Sequence, residues 1–371
     1  MKFFFIQNTL APYRADLFNK LIAYGLDVTV LYECRQESDR LWEINLNELK
    51  YPYTIYKGFY KMIKGYHFHF NPNLIKKLMS VKGNIVLGSS WNDLNIILIC
   101  LLKRIGLIKS DIIFWSEANY LTIGAVKKNF FRDKLRKYIL NSGNGTFILP
   151  GKMAEKTLTL WHINLTNIYF LPNVIKEDTI NQDINRPVLT ENDIPIFILP
   201  ARLEEKIKGI LNFFQSIGIE NIKKAIFYIC GDGNDKDKIN SFIQNFNLQK
   251  NIILKGFCSQ KTMSEMYERA NAFVLPSFSD PSPLSIVEAI ANKLPLLISN
   301  RCGNHFETLI EGVNGYSFDP TNKNDIKNSY ENLIKQKSKW KEMGERGREL
   351  YNQNFKQSVV IPKFCSALQQ R

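Results

Sequence analysis

The chain has 371 residues, 45% of them apolar, and a formal net charge of +14. That length and apolar content allow two ordinary domains with a sizeable core, and exclude a disordered or low-complexity chain. The basic excess suits nucleic acid, an anionic membrane surface or an anionic substrate, but the sequence carries no nucleic-acid motif.

Short apolar strands alternate with amphipathic helices, in two successive series. Lys2–Ile6 reads as a strand and leads into a helix from about Tyr13. Further strands are predicted at Val28–Tyr32, Ile85–Leu87, Ile112–Trp115 and Thr146–Leu149. Lys176–Asp193 is polar and irregular, and it reads as a linker. The second series runs through a strand at Pro195–Leu199 and a helix at Gly209–Ile217. Its later strands are Ile226–Cys230, Ile252–Lys255, Ala272–Leu275 and Leu296–Ile298. Such alternation predicts an α/β chain with parallel sheets covered by helices. The expected division is a domain over 1–175, a linker over 176–193 and a second domain over 194–350. A terminal helix over 351–371 is expected to return to the first domain.

Cys34, Cys100, Cys230, Cys258, Cys302 and Cys365 form no metal-binding spacing, so they read as core thiols in a reducing compartment. The N-terminal apolar run is too short for a signal peptide. Leu94–Leu102 is too short to span a bilayer and reads as a buried helix. The run Lys127–Lys137 interleaves Phe130, Phe131 and Leu135 with basic residues. Two compatible readings stand: an amphipathic helix packed on a sheet, and contact with anionic lipid headgroups. His67 and His69 fall in an aromatic–basic segment expected to be a loop facing an acceptor or a membrane. His162 is expected to pack at a helix end.

The most informative stretch is Pro276–Ile290, PSFSDPSPLSIVEAI. A buried strand runs into a turn that exposes Asp280, and a helix opens near Pro283 and Leu284 with Glu288 in its early turns. Carboxylates accept from sugar hydroxyls, and a helix N-terminus favours a diphosphate. An N-cap Asp and a solvated helix Glu is the plainer alternative. The run resembles the E-x7-E motif of retaining GT-B glycosyltransferases of family 4, the glycosyl transferases group 1, often written E-G-F-P-L-x-x-x-E-A. Here Asp280 replaces the first Glu, while Pro283-Leu284 and Glu288-Ala289 match.

The resemblance implies two Rossmann-like domains facing each other across a cleft, with the acceptor on the first and a nucleotide-sugar donor on the second. It assigns Asp280 to the donor sugar and Glu288 to the nucleotide ribose, with Ser282 and Leu284 in the same donor loop. The segment at 201–210 is similar to the family's R-L-x-x-x-x-K-G, so Arg202 and Lys208 correspond to the pair that neutralises the donor diphosphate. Lys206 is an alternative to Lys208. Gly231, in YICGDG, matches a turn beside the nucleotide cleft. Gly256 and Phe257 are candidates for the base pocket, or for a plain strand-end turn. Gly303, in GNHFETLIEGVNG, lets backbone approach the donor, with Glu307 as structural support and His305 filling a loop. Asn8 and Arg14, in NTLAPYRADLF, face the acceptor side. Glu117 stands near the place of the family's cleft His, as a general-base candidate or a loop carboxylate. Asp235 and Asp237 spell D-x-D at a helix start, where acids are favoured anyway, so no metal is expected.

By this resemblance the chain is expected to move a sugar from a nucleotide-diphosphate donor to a hydroxyl acceptor, with no cofactor and no metal. The expected acceptor is a saccharide or lipid-linked saccharide of bacterial surface polysaccharide assembly. The expected setting is cytoplasmic, peripheral on the inner face of an anionic membrane, without nucleic acid. The alternatives are a nucleotide-sugar 2-epimerase of the same fold and a non-catalytic basic binder of membrane or nucleic acid.

Overall fold

The computed structural model describes all residues except 39–44, 64–65, 123–128, 178–179, 182 and 371. Lys127 and Lys128 of the basic run therefore lie outside the described residues. The first strand series comprises β1 (Lys2–Gln7), β2 (Asp27–Tyr32), β3 (Tyr53–Ile55), β4 (Phe59–Ile63), β5 (Tyr66–Phe70), β6 (Asn84–Leu87), β7 (Asp111–Trp115), β8 (Thr146–Leu149) and β9 (Asn167–Phe170). The second comprises β10 (Ile196–Pro200), β11 (Ile226–Cys230), β12 (Ile252–Gly256), β13 (Ala272–Leu275), β14 (Leu296–Ser299) and β15 (Gly315–Phe318).

Among the described residues the first series forms a sheet in the order β3-β2-β1-β6-β7-β8-β9, and the second one in the order β12-β11-β10-β13-β14-β15. All pairings in both are parallel. The period of two along β1 explains its apolar run: Phe3 and Phe5 enter one core, Phe4 and Ile6 the other, so both faces are covered. Strand order reverses between β1 and β6, and again between β10 and β13. A crevice opens at the carboxyl ends of the strands at such a reversal, where ligands bind open α/β sheets. Helix Gln357–Gln369 puts Val360, Ile361, Phe364, Cys365 and Leu368 into the core of the first sheet, beside Phe18 and Leu21.

The structure departs from the sequence reading in several places. β3 and β9 are short, partly exposed edges with weak apolar signal. The segment expected as a loop at His67 and His69 is strand β5, paired antiparallel with β4. His69 is buried there, its Nδ1 at 3.2 Å from Asp93 and 3.6 Å from Glu33. His162 does not pack: it is exposed, at φ +54°, just past helix Lys152–Leu160. Helix Leu94–Arg104 buries Ile96, Ile99 and Cys100 but leaves Leu94 and Leu101 exposed. In helix Phe130–Leu140 the apolar residues Phe130, Phe131 and Leu135 do not pack on the sheet but are exposed, as are Lys134 and Lys137. Arg136, Ile139 and Leu140 face inward, with Arg136 3.6 Å over the Trp161 ring, while Phe131 is 81% exposed. Among the described residues, no helix is long and apolar enough to cross a membrane.

Candidate active site

The second crevice collects the acid motif and the basic turn. Strand β13 is wholly buried and delivers the chain to Pro276–Pro283, after which helix Leu284–Ala291 begins with Pro283 as its N-cap. Lys208 ends a four-residue helix, Glu205–Lys208, closed by Gly209 at φ +61°. The carbonyl of Ile207 accepts from the backbone N–H of Phe278 (2.8 Å) and of Ser279 (3.3 Å), which locks the two loops together. Lys208 Nζ then meets Asp280 Oδ2 at 2.5 Å, with the side chains 18% and 15% exposed. A third loop holds Asp280 from behind: Gly303 N–H donates to its carbonyl at 2.9 Å. An added Cβ at Gly303 would fall 1.7 Å from the Pro281 carbonyl oxygen, so only glycine allows this approach.

Glu288 is partly buried and accepts a hydrogen bond from the Tyr267 hydroxyl at 2.7 Å. Burial pushes its carboxyl above the ordinary value, a shift the tyrosine bond partly offsets. Tyr267 was not legible as a site residue, because it reads as one apolar position of helix Gln260–Arg269. Glu205 was also missed. Its two oxygens accept from the N–H groups of Leu211 and Asn212, capping the start of helix Ile210–Ile217.

Arg202 sits just after β10, its Nη1 3.2 Å from Glu204 on the same turn. Gly231 and Gly256 form an isolated bridge, Gly231 N–H donating to Gly256 O at 2.8 Å. A side chain at Gly231 would strike the Ala201 carbonyl at 2.0 Å. This glycine therefore brings the end of β11 against the Arg202 turn. Gly256 borders open space and Phe257 is exposed, on the rim of the same crevice. Asp235 of the D-x-D accepts from the Glu205 N–H at 2.8 Å and pairs with Lys238, a capping arrangement.

At the first crevice, Arg14 is 7% exposed and stacks 3.8 Å from the Trp115 ring. Its Nη2 donates to Glu117 Oε1 at 2.6 Å. The same oxygen accepts from Asn173 Nδ2 at 3.1 Å, and that amide also reaches Ser282 O at 3.3 Å. Glu117 is thus connected through one asparagine to the acid-motif loop. A cavity of about 340 Å³ lies here, lined by Arg14, Gly88, Trp115, Glu117 and Asn119 on one side and by Pro281 of the acid-motif loop on the other. Asn119 Nδ2 donates to Arg301 O at 2.9 Å, and Glu307 Oε1 accepts from Lys152 N–H at 2.8 Å, so the two halves meet at several points. Asn8 is directed elsewhere: its amide donates to Glu37 at 2.6 Å. Leu284 packs partly against the second core. His305 Nδ1 lies 2.7 Å from Cys302 O, a backbone contact that holds the ring in its loop.

Residues 181–350 match the sequence profile of the family described as glycosyl transferases group 1. This segment resembles a group 1 glycosyltransferase domain. The family's fold, two Rossmann-like domains in the GT-B arrangement, is the one seen here. Anabaena HepE, solved in complex with UDP, superimposes over all of both chains with TM-score 0.75 at 13% identity. In sequence, the chain is 24% identical over 251 residues to the poly(ribitol-phosphate) alpha-N-acetylglucosaminyltransferase of Staphylococcus aureus. That match covers 67% of this chain and 48% of that protein. An uncharacterized glycosyltransferase of Methanocaldococcus jannaschii is 27% identical over 277 residues, covering 70% of this chain and 63% of its own length. The chain thus spans about half to two thirds of the curated relatives it matches.

Proposed function

We propose that the chain is a retaining glycosyltransferase that moves a sugar from a nucleoside diphosphate sugar to a hydroxyl acceptor. The observation that carries this is the Lys208–Asp280 pair at the β10/β13 crevice, with Glu288 on the helix that follows. In this reading Lys208 and Arg202 hold the donor diphosphate, Glu288 accepts from the ribose, and Asp280 accepts from the donor sugar. The bond from the anomeric carbon to the diphosphate oxygen breaks as the bond to the acceptor oxygen forms on the same face. Two fixed cations stabilise the charge that gathers on the departing diphosphate. The acceptor proton passes to that diphosphate. Glu117, held by Arg14 and Asn173, accepts a hydrogen bond from the acceptor hydroxyl and orients it. No step in this scheme calls on a metal.

The acceptor we propose is a saccharide or lipid-linked saccharide of surface polysaccharide assembly, used at the inner face of the cytoplasmic membrane. Supporting it are the +14 charge, the exposed Phe130 and Phe131 beside Lys134 and Lys137, and the polymer acceptor named for the S. aureus relative.

The test is calorimetry and thermal shift with UDP, GDP, ADP, CMP and dTDP, without added metal. Selective binding of one nucleotide, weakened at least about tenfold in Lys208→Ala and in Arg202→Ala, is expected. Binding of none, or binding indifferent to both substitutions, would overturn the donor site.

A further inference from the structure

The 340 Å³ cavity at the β1/β6 reversal has a chemical bias that the transfer scheme leaves unused. Its wall includes two groups that can only donate hydrogen bonds. Arg14 Nη1 and Trp115 Nε1 are both buried, and neither has a partner among the described residues. Their residues are 7% and 4% exposed. Outside the lining, Gln7 Nε2 is likewise buried without a partner and packs directly behind Gly88, where an added Cβ would lie 1.9 Å from it. A buried donor without an acceptor forfeits the hydrogen bonds it made to water, and the loss is greater for a charged group. The two on residues that line the cavity form a pair that an acceptor-rich ligand would satisfy. A guanidinium and an indole N–H cannot be re-oriented into acceptors, so the sign of the preference is set.

The helix that carries Arg14 adds to it. Pro12–Ala23 starts at the cavity's side of β1 with no side-chain N-cap and no acid in its first turn. Its N-terminal end is therefore positive and unopposed from within the helix. Glu117 is the carboxylate at the cavity, and it is already bound by Arg14 Nη2 and Asn173, which leaves the other guanidinium edge for a second anion.

We infer that this cavity binds an oxyanion, a phosphate or a carboxylate, carried by the acceptor close to the hydroxyl that Glu117 orients. The inference rests on the acceptor side of the proposed transfer. It restricts the acceptor class to sugars or lipid-linked saccharides with an anionic group near the attacking hydroxyl.

The experiment is calorimetric titration of the full chain with glucose 1-phosphate, glucuronate and glucose, with and without saturating UDP. Glucose 1-phosphate, glucuronate or both should bind where glucose does not, and should still bind when UDP fills the donor site. Binding of the phosphate alone or of the carboxylate alone identifies which oxyanion is accepted. Arg14→Gln should weaken that binding at least about tenfold, while Lys208→Ala leaves it unchanged. Trp115→Phe, which removes only the indole N–H, is the second variant should Arg14→Gln fail to fold, and it should weaken binding several-fold. Equal binding of glucose, binding of neither charged sugar, or loss in Lys208→Ala with retention in Arg14→Gln would overturn the inference. Failure of UDP to bind would count against the donor site alone, because the titrations without nucleotide still read the cavity.

Discussion

The carboxylate of Glu307 occupies the space that a side chain on Gly151 would take: an added Cβ there would lie 2.6 Å from its carboxyl carbon. From that position Glu307 caps helix Lys152–Leu160 of the other half, accepting from Lys152 N–H at 2.8 Å. An acid at a helix N-terminus is favourable both for the unsatisfied N–H and for the helix dipole. A residue that the motif suggested as local support thus joins the two halves.

Gly151→Ala should therefore displace Glu307 and loosen this contact. We expect a destabilisation of about 0.5–2 kcal/mol, the ordinary cost of a lost cap, and a similar loss in Glu307→Ala. The double variant should cost little more than either single one. Chemical denaturation of the three proteins measures it; additive losses would separate the two residues.

Gly303→Ala is expected to harm turnover more than folding. The methyl group would meet the Pro281 carbonyl at 1.7 Å, so the Asp280 loop must move. Overpacking of this kind costs about 1–3 kcal/mol. The variant should keep its far-UV circular dichroism while losing transfer activity and nucleotide-induced thermal shift. Unchanged activity would show that the loop position is immaterial.

Tyr267→Phe removes the hydroxyl that holds Glu288 and keeps the ring in the core. A loss of about 1 kcal/mol in stability is expected, with weaker nucleotide binding because the carboxylate is no longer oriented. Denaturation midpoints and calorimetry on the same preparation separate the two effects.

The Glu288 carboxyl is raised above its ordinary value of 4.5, chiefly by burial. Above 4.5 the unfolded chain has lost this proton while the folded one keeps it. Stability from this group is therefore full below 4.5 and is lost as pH rises through the folded value. If Glu288 accepts from the ribose as proposed, nucleotide binding runs the opposite way, because the ionised carboxylate is the stronger acceptor. Glu288→Gln should flatten the stability profile over that window and abolish the acid-side loss of nucleotide affinity. Thermal melts and titrations across the mildly acidic range test both signs.

Much of this architecture was open to direct reading. Alternating apolar strands and amphipathic helices dictated two parallel sheets, since a run such as Lys2–Gln7 can be satisfied only by burial on both faces. The acid motif and the basic turn were likewise readable, because strand, turn and helix start are local patterns. Tertiary structure alone decided which side chains meet. Lys208 and Asp280 are 72 residues apart, Arg14 and Glu117 103 apart, and no periodicity encodes such pairs. Burial also reversed expectations where charge suggested the surface. Arg136 turns inward onto Trp161 while Phe131 faces solvent, and His69 of β5 is buried among carboxylates. In each case a charged or polar group is buried because a distant segment supplies its partner. Sequence patterning records a residue's own hydropathy, whereas the partner that makes its burial affordable arrives only when the chain closes.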